Sequence, residues 1–164
     1  MQLVDLAPLI SDAVFDLRYN SSRNIIGKPL DNAVSIAQLD KDAAEQLVQA
    51  AGLFRQRNLC LVIWDAYRPS EVQEQLRAVF PGTEYVLEES NHCRGLAIDL
   101  TLATLDGRML DMGTDHDDFS LQAHPDATGL TAEQQANRAL LISVMQQAGF
   151  VVWPYEWWHF DFEG

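Results

Sequence analysis

Leu96-Ala97-Ile98-Asp99-Leu100-Thr101-Leu102 alternates without a break: four aliphatic residues fall on one face of an extended chain, and Ala97, Asp99 and Thr101 fall on the other. A two-residue period of this kind predicts a strand with one face in a core. Asp106-Gly107 just beyond it predicts a hairpin turn. The reading places a carboxylate, Asp99, on the face opposite the leucines.

Outward from that strand, Leu59 to Trp64 is an apolar run that reads as a second, buried strand. Ser70 and Gln73 have capping-box spacing and start a short helix that Pro81-Gly82 ends, so Asp65-Ala66-Tyr67-Arg68-Pro69 falls in the turn between strand and helix. Asp40 is the expected N-cap of an earlier helix whose stripe is Ala43, Ala44, Leu47, Val48 and Ala51. Thr131 with Gln134 opens a third, with Leu140, Leu141, Val144 and Met145 inward and Gly149 at its end. Phe150 to Trp153 reads as a strand and His159 to Phe162 as a further one. Hairpin-prone strands with helices set between them predict an α+β fold: one domain over residues 1–164, its largely antiparallel sheet flanked by helices.

The charge balance narrows the partners. Twenty-four acidic against eleven basic residues give −13, which repels phosphate backbones and anionic lipid, so neither nucleic acid nor a membrane surface is expected as a partner. No apolar run reaches the ~18 residues of a membrane span. Asp5 and Asp12 interrupt the start where a signal peptide would be basic and then apolar, which predicts a cytoplasmic protein. Cys60 sits inside the apolar run and Cys93 stands alone, so no disulfide framework is indicated.

His92 precedes Asp99 by seven residues, with Gly95 between them free to turn the backbone. Imidazole and carboxylate are good ligands for first-row metals. The late stretch Glu156-Trp157-Trp158-His159, read as a turn, sends residues i and i+3 to the same side and adds a third ligand, His159. Two histidines and one aspartate leave a fourth metal position open, and Glu156 then stands where a general base belongs. Taken singly, each piece has a plainer reading: an aspartate paired with an arginine, a surface turn, tryptophans as core. A thiolate ligand at Cys93 is disfavoured, because neighbours in an extended segment point apart.

Together the pieces form Ser90-x-His92-x-x-Gly95-x-Ala97-x-Asp99 followed by Glu156-x-x-His159. This pattern resembles the signature of the zinc D-Ala-D-Ala peptidases, whose fold is shared with Hedgehog amino-terminal domains. Further stretches, Asp16-Leu-Arg-Tyr-Asn20, Asn24 to Leu30, Trp64 to Pro69, Asp111 to Thr114 and Glu156 to Phe160, resemble the D-alanyl-D-alanine dipeptidase (VanX-like) branch, and together they span nearly the whole chain. The resemblance implies one Zn²⁺ per chain on His92, Asp99 and His159, Glu156 as base and Arg68 stabilising the oxyanion. It also implies that Asp117 meets the substrate ammonium, with Tyr19 and Ser90 as further substrate contacts; Asp65, in the same turn as Arg68, is expected to orient it. The implied substrate is the small molecule D-Ala-D-Ala. The chain departs from the branch at His116, where a phenylalanine-like residue is usual, at Asn91 in place of serine, and in a single histidine, His124, after the Asp117 loop. These departures bear on specificity and on the lid of the pocket.

Overall fold

In the computed structural model, which describes residues 1–164, the two apolar runs are neighbouring strands at the centre of a sheet. Strand β4 (Leu59–Asp65) is buried throughout, and β5 (Ala97–Thr104) is buried in all but its last residue. The alternation in β5 therefore does not separate core from water. It separates the hydrophobic core, which takes Ile98, Leu100 and Leu102, from a second buried environment that takes Asp99 and Thr101.

The five-stranded sheet has the order β2 (Val14–Phe15), β4, β5, β7 (Glu156–Phe162), β6 (Phe150–Trp153). Only the β2–β4 pair is parallel. A separate antiparallel ribbon joins β1 (Leu3–Asp5) to β3 (Gln38–Asp40). Helix α1 (Lys41–Arg55) packs on β4, α3 (Ala132–Gln147) packs on β6, and the two helices touch each other, which closes the core on one face of the sheet. The architecture is α+β with a mainly antiparallel sheet. No helix is long and apolar enough to cross a membrane.

Local signals held where a side chain satisfies an orphan backbone donor. Asp40 caps α1 by accepting from Asp42 N, and Thr131 with Gln134 forms a complete capping box on α3. Helix α2 (Ser70–Val79) differs: Pro69 is its N-cap, no side chain caps it, and Gln73 is buried with its amide used elsewhere. The stripe of α1 runs through Ala50 and Phe54, whereas Val48 is exposed. The Asp106-Gly107 turn forms, but its return arm pairs only at Ala103 and Met109 before the chain leaves the sheet, so β5 takes β4 and β7 as partners instead.

The late Glu-Trp-Trp-His stretch is not a turn. It opens β7, and the turn lies just before it at Pro154-Tyr155. In a regular strand, residues three apart face opposite sides. Here Val152 pairs with Phe160 but Trp153 pairs with Glu156, so β7 carries extra residues against β6 at this point. That irregularity buries both Trp157 and Trp158 and brings Glu156 Oε2 within 3.8 Å of His159 Nδ1.

Candidate active site

Strand pairing places Asp99 directly opposite His159 on β7 and, on the other side, opposite Asp65 of β4. Side chains opposite each other on one sheet face are near neighbours, so one row of the sheet carries three of the site's polar groups. His92 arrives from a single 3₁₀ turn, Asn91–Arg94. Ser90 Oγ caps that turn by accepting from His92 N, and Gly95 ends it at φ 66°. A Cβ at Gly95 would sit 2.6 Å from a Leu3 methyl and 2.9 Å from Asp40 N, so the β1–β3 ribbon leaves room only for glycine.

The three sequence-predicted ligands converge. Asp99 Oδ1 lies 3.0 Å from His159 Nδ1 and 3.3 Å from His92 Nε2, and the two nitrogens are 3.2 Å apart. Bonds of roughly 2.0–2.2 Å to a tetrahedral metal would separate ligand atoms by about 3.3–3.6 Å, so the triangle fits a first-row ion to within a few tenths of an ångström. The far ring nitrogens agree. His92 Nδ1 donates to Ala66 O (2.7 Å) and His159 Nε2 lies 3.2 Å from Asp161 Oδ1, so each far nitrogen has an acceptor for the ring proton and the converging nitrogen can turn a lone pair to a metal once it gives up its own proton.

Beside the triangle stands Glu156, buried, whose carboxyl is pushed up to about 8, chiefly by burial. Arg68 is also buried. Its Nε donates to Asp65 Oδ2 (2.8 Å) and its Nη1 to Gln73 Oε1 (2.6 Å), while Nη2 makes no hydrogen bond and lies 3.7 Å from Asp99 Oδ2. Burial opposes the charge, but Asp65, Tyr19 and Asp99 outweigh it and keep the guanidinium firmly protonated. Arg68 is thus ion-paired with Asp65, and the pair leaves one end of the fork aimed into the site. Gln73, read from sequence as a helix cap, spans Arg68 and Leu87 O instead (2.7 Å).

Asp117 reaches the same cavity from the loop after β5. Its Oδ1 accepts from Tyr19 Oη (3.1 Å) and its Oδ2 from Ile25 N (3.1 Å), and its backbone sits at φ 59°, a left-handed conformation that costs a non-glycine residue about 1–3 kcal/mol. The cavity encloses about 90 Å³, well below the roughly 300–1,000 Å³ of sites for drug-sized ligands, and is lined among others by Tyr19, Arg68, Ser90, Asp117 and Glu156. Trp153 lines it, whereas Trp157 and Trp158 are core.

What holds that loop was not foreseen. Arg138 of α3, 2% exposed, donates from Nε to Met112 O (2.7 Å), from Nη1 to His124 O (2.9 Å) and from Nη2 to Gln122 O (2.8 Å). Trp157 Nε1 donates to Thr114 Oγ1 at 2.8 Å, and Arg138 lies over the Trp157 ring. Arg138→Met should therefore strand three carbonyls and lower unfolding free energy by about 3 kcal/mol or more, measured by urea denaturation. A change within experimental error would contradict the clamp.

The metal-free site also sets a pH response. Burial raises Glu156, and for His116 and His159 neighbouring carboxylates overcome burial to raise them to about 9 and about 10. The folded state then holds protons that an unfolded chain releases above roughly pH 4.5 for the glutamate and 6.5 for the histidines. Stability from these groups is fully present below those values and is lost as pH rises through about 8 to 10. The thermal midpoint of metal-free protein should fall between pH 6 and 10; a rise over that window would contradict the raised proton affinity of these three groups in the folded state.

A donor triangle with one side open to a cavity, faced there by a buried carboxyl, is suited to activating water and not merely to cross-linking a fold: the class is that of metal-dependent hydrolases. Residues 1–164 match the family model of the M15 peptidases, described as D-ala-D-ala dipeptidase, and the chain belongs to that family. It is similar to the D-alanyl-D-alanine dipeptidase of Escherichia coli (strain K12), 39% identical over 163 residues that cover 98% of this chain and 84% of that one. It is also similar to the D-alanyl-D-alanine dipeptidase of Enterococcus faecium, 30% identical over 178 residues, with 94% and 88% covered. Among solved structures, the LdcB LD-carboxypeptidase has a similar fold, with a TM-score of 0.51 at 18% identity over 82% of this chain and 64% of that one.

Proposed function

We propose that residues 1–164 form one zinc dipeptidase domain, cytoplasmic, that hydrolyses D-alanyl-D-alanine to two D-alanines. One Zn²⁺ per chain would be held by His92, Asp99 and His159, whose Nε2, Oδ1 and Nδ1 atoms converge. The observation that carries the reading is the 3.0–3.3 Å triangle of these atoms, faced by the buried Glu156 carboxyl. Bound zinc supplies positive charge that polarises the scissile carbonyl and makes water nucleophilic near neutral pH.

The protein's own groups do the rest. Glu156 takes the proton of the attacking water and passes it to the leaving amine, a two-way role suited to a carboxyl that burial holds near neutrality. Arg68 Nη2 donates to the oxygen on which negative charge develops, with Asp65 and Gln73 fixing its direction. Asp117 receives the substrate ammonium, and Tyr19 Oη holds that carboxylate in place. Ser90 Oγ accepts from His92 N and keeps its own proton to donate to the substrate.

The alternative within the same chemistry is a D,D-carboxypeptidase or endopeptidase acting on peptidoglycan stem peptides; a non-catalytic zinc domain would need neither Glu156 nor Arg68. The small cavity favours the dipeptide. Side-by-side assay of free D-Ala-D-Ala and a stem pentapeptide tests this: cleavage of the dipeptide alone is expected, and faster cleavage of the pentapeptide would overturn it.

A further inference from the structure

His116 takes no part in the chemistry above, yet its side chain is wholly buried in the site. Its Nε2 lies 3.1 Å from Asp99 Oδ2, and its Nδ1 lies 3.5 Å from Asp117 Oδ2 without a hydrogen-bond partner. The rings of Trp64, Tyr19 and Trp158 surround the imidazole at 5.4, 5.8 and 5.8 Å. Aromatic walls on three sides and a loop clamped by Arg138 leave it little freedom to turn.

The two oxygens of Asp99 are thereby given different tasks. Oδ1 faces His92 and His159, while Oδ2 is turned toward His116, with Arg68 Nη2 further off at 3.7 Å. A carboxylate able to rotate can offer a metal either oxygen or both. A donor fixed on Oδ2 removes that choice and sets the plane in which Oδ1 presents its lone pair.

We propose that His116 is a positioning residue that holds Asp99 as a one-oxygen metal ligand. The inference rests on the reading of His92, Asp99 and His159 as the zinc ligands. Phenylalanine at this position fills the same aromatic box but gives Oδ2 no donor. Glutamine places an amide N–H close to where Nε2 lies, and asparagine is polar but too short to reach.

The test is Zn²⁺ affinity, measured on metal-free protein by competition with a chromophoric chelator, for the parent, His116→Phe, His116→Gln and Asp99→Ala. Removing a hydrogen-bond partner of a ligand weakens metal binding by about 10–100-fold, so His116→Phe is expected in that range and His116→Gln near the parent. If His116→Phe fails to fold, as judged by near-ultraviolet circular dichroism, His116→Asn replaces it with the same expectation. Parent-like affinity in the donor-less variant, or equal losses in that variant and His116→Gln, would overturn the positioning role. Parent-like affinity in Asp99→Ala would instead overturn the zinc-site reading on which it rests.

Discussion

Replacing Glu156 with alanine should lower kcat for D-Ala-D-Ala by about 10²–10⁴-fold while zinc content stays at the parent level, because a positioned general base contributes about that much. Glu156 is not one of the three converging donors, and removing it leaves the 3.0–3.3 Å triangle intact. Burial is the main reason its carboxyl is raised to about 8 in the metal-free protein. A bound cation acts the other way and favours the charged form, which brings the group into the range where it can both take and return a proton. Steady-state kinetics with metal analysis of the same sample checks this. A Glu156→Ala protein that holds zinc and turns over at the parent rate would mean that another group deprotonates the water.

Arg68→Ala should cost about 10²–10³-fold in kcat, the range found when one donor to a developing oxyanion is removed. Two of its three nitrogens are committed to Asp65 and Gln73, so the direction of the third is fixed before substrate arrives. Arg68→Lys should recover little of the loss, since an ammonium cannot hold two anchors and present a third donor in one plane. The substitution also leaves Asp65 buried without its cation, and some stability loss accompanies it. Normalising kcat to zinc-loaded, folded protein separates the two effects. A zinc-loaded Arg68→Ala protein with parent kcat would make the Asp65 ion pair the residue's whole purpose.

The parts of the molecule legible in sequence are those decided by neighbours along the chain. Asp40 and the Thr131–Gln134 box reach donors two or three residues away, and the alternation through Asp99 needs only the strand's own period. The trio of converging side chains was legible for a related reason: His92 and Asp99 lie on either side of one glycine turn, and His159 carries a fixed spacing to Glu156. The route by which Glu156 and His159 share a side was not. Helix-like spacing suggested a turn, whereas β7 achieves it by a register irregularity against β6, which only the pairing reveals.

Residues whose partners are distant were missed for the same reason. Ser70 and Gln73 have cap spacing, but the unmet hydrogen-bonding need of Arg68 drew Gln73 away. Arg138 sits on a helix among polar neighbours and gave no sign that three carbonyls from another loop converge on it. The contact of His116 with Asp99 crosses 17 residues and follows no period.

The central claim, that this chain is a zinc enzyme acting on a free dipeptide, is tested most directly by release of D-alanine from D-Ala-D-Ala by purified protein stripped of metal and then restored with zinc. Stripped protein should release none, and activity should return in proportion to zinc up to one ion per chain. Full activity in the stripped protein, or none after restoration, would contradict it.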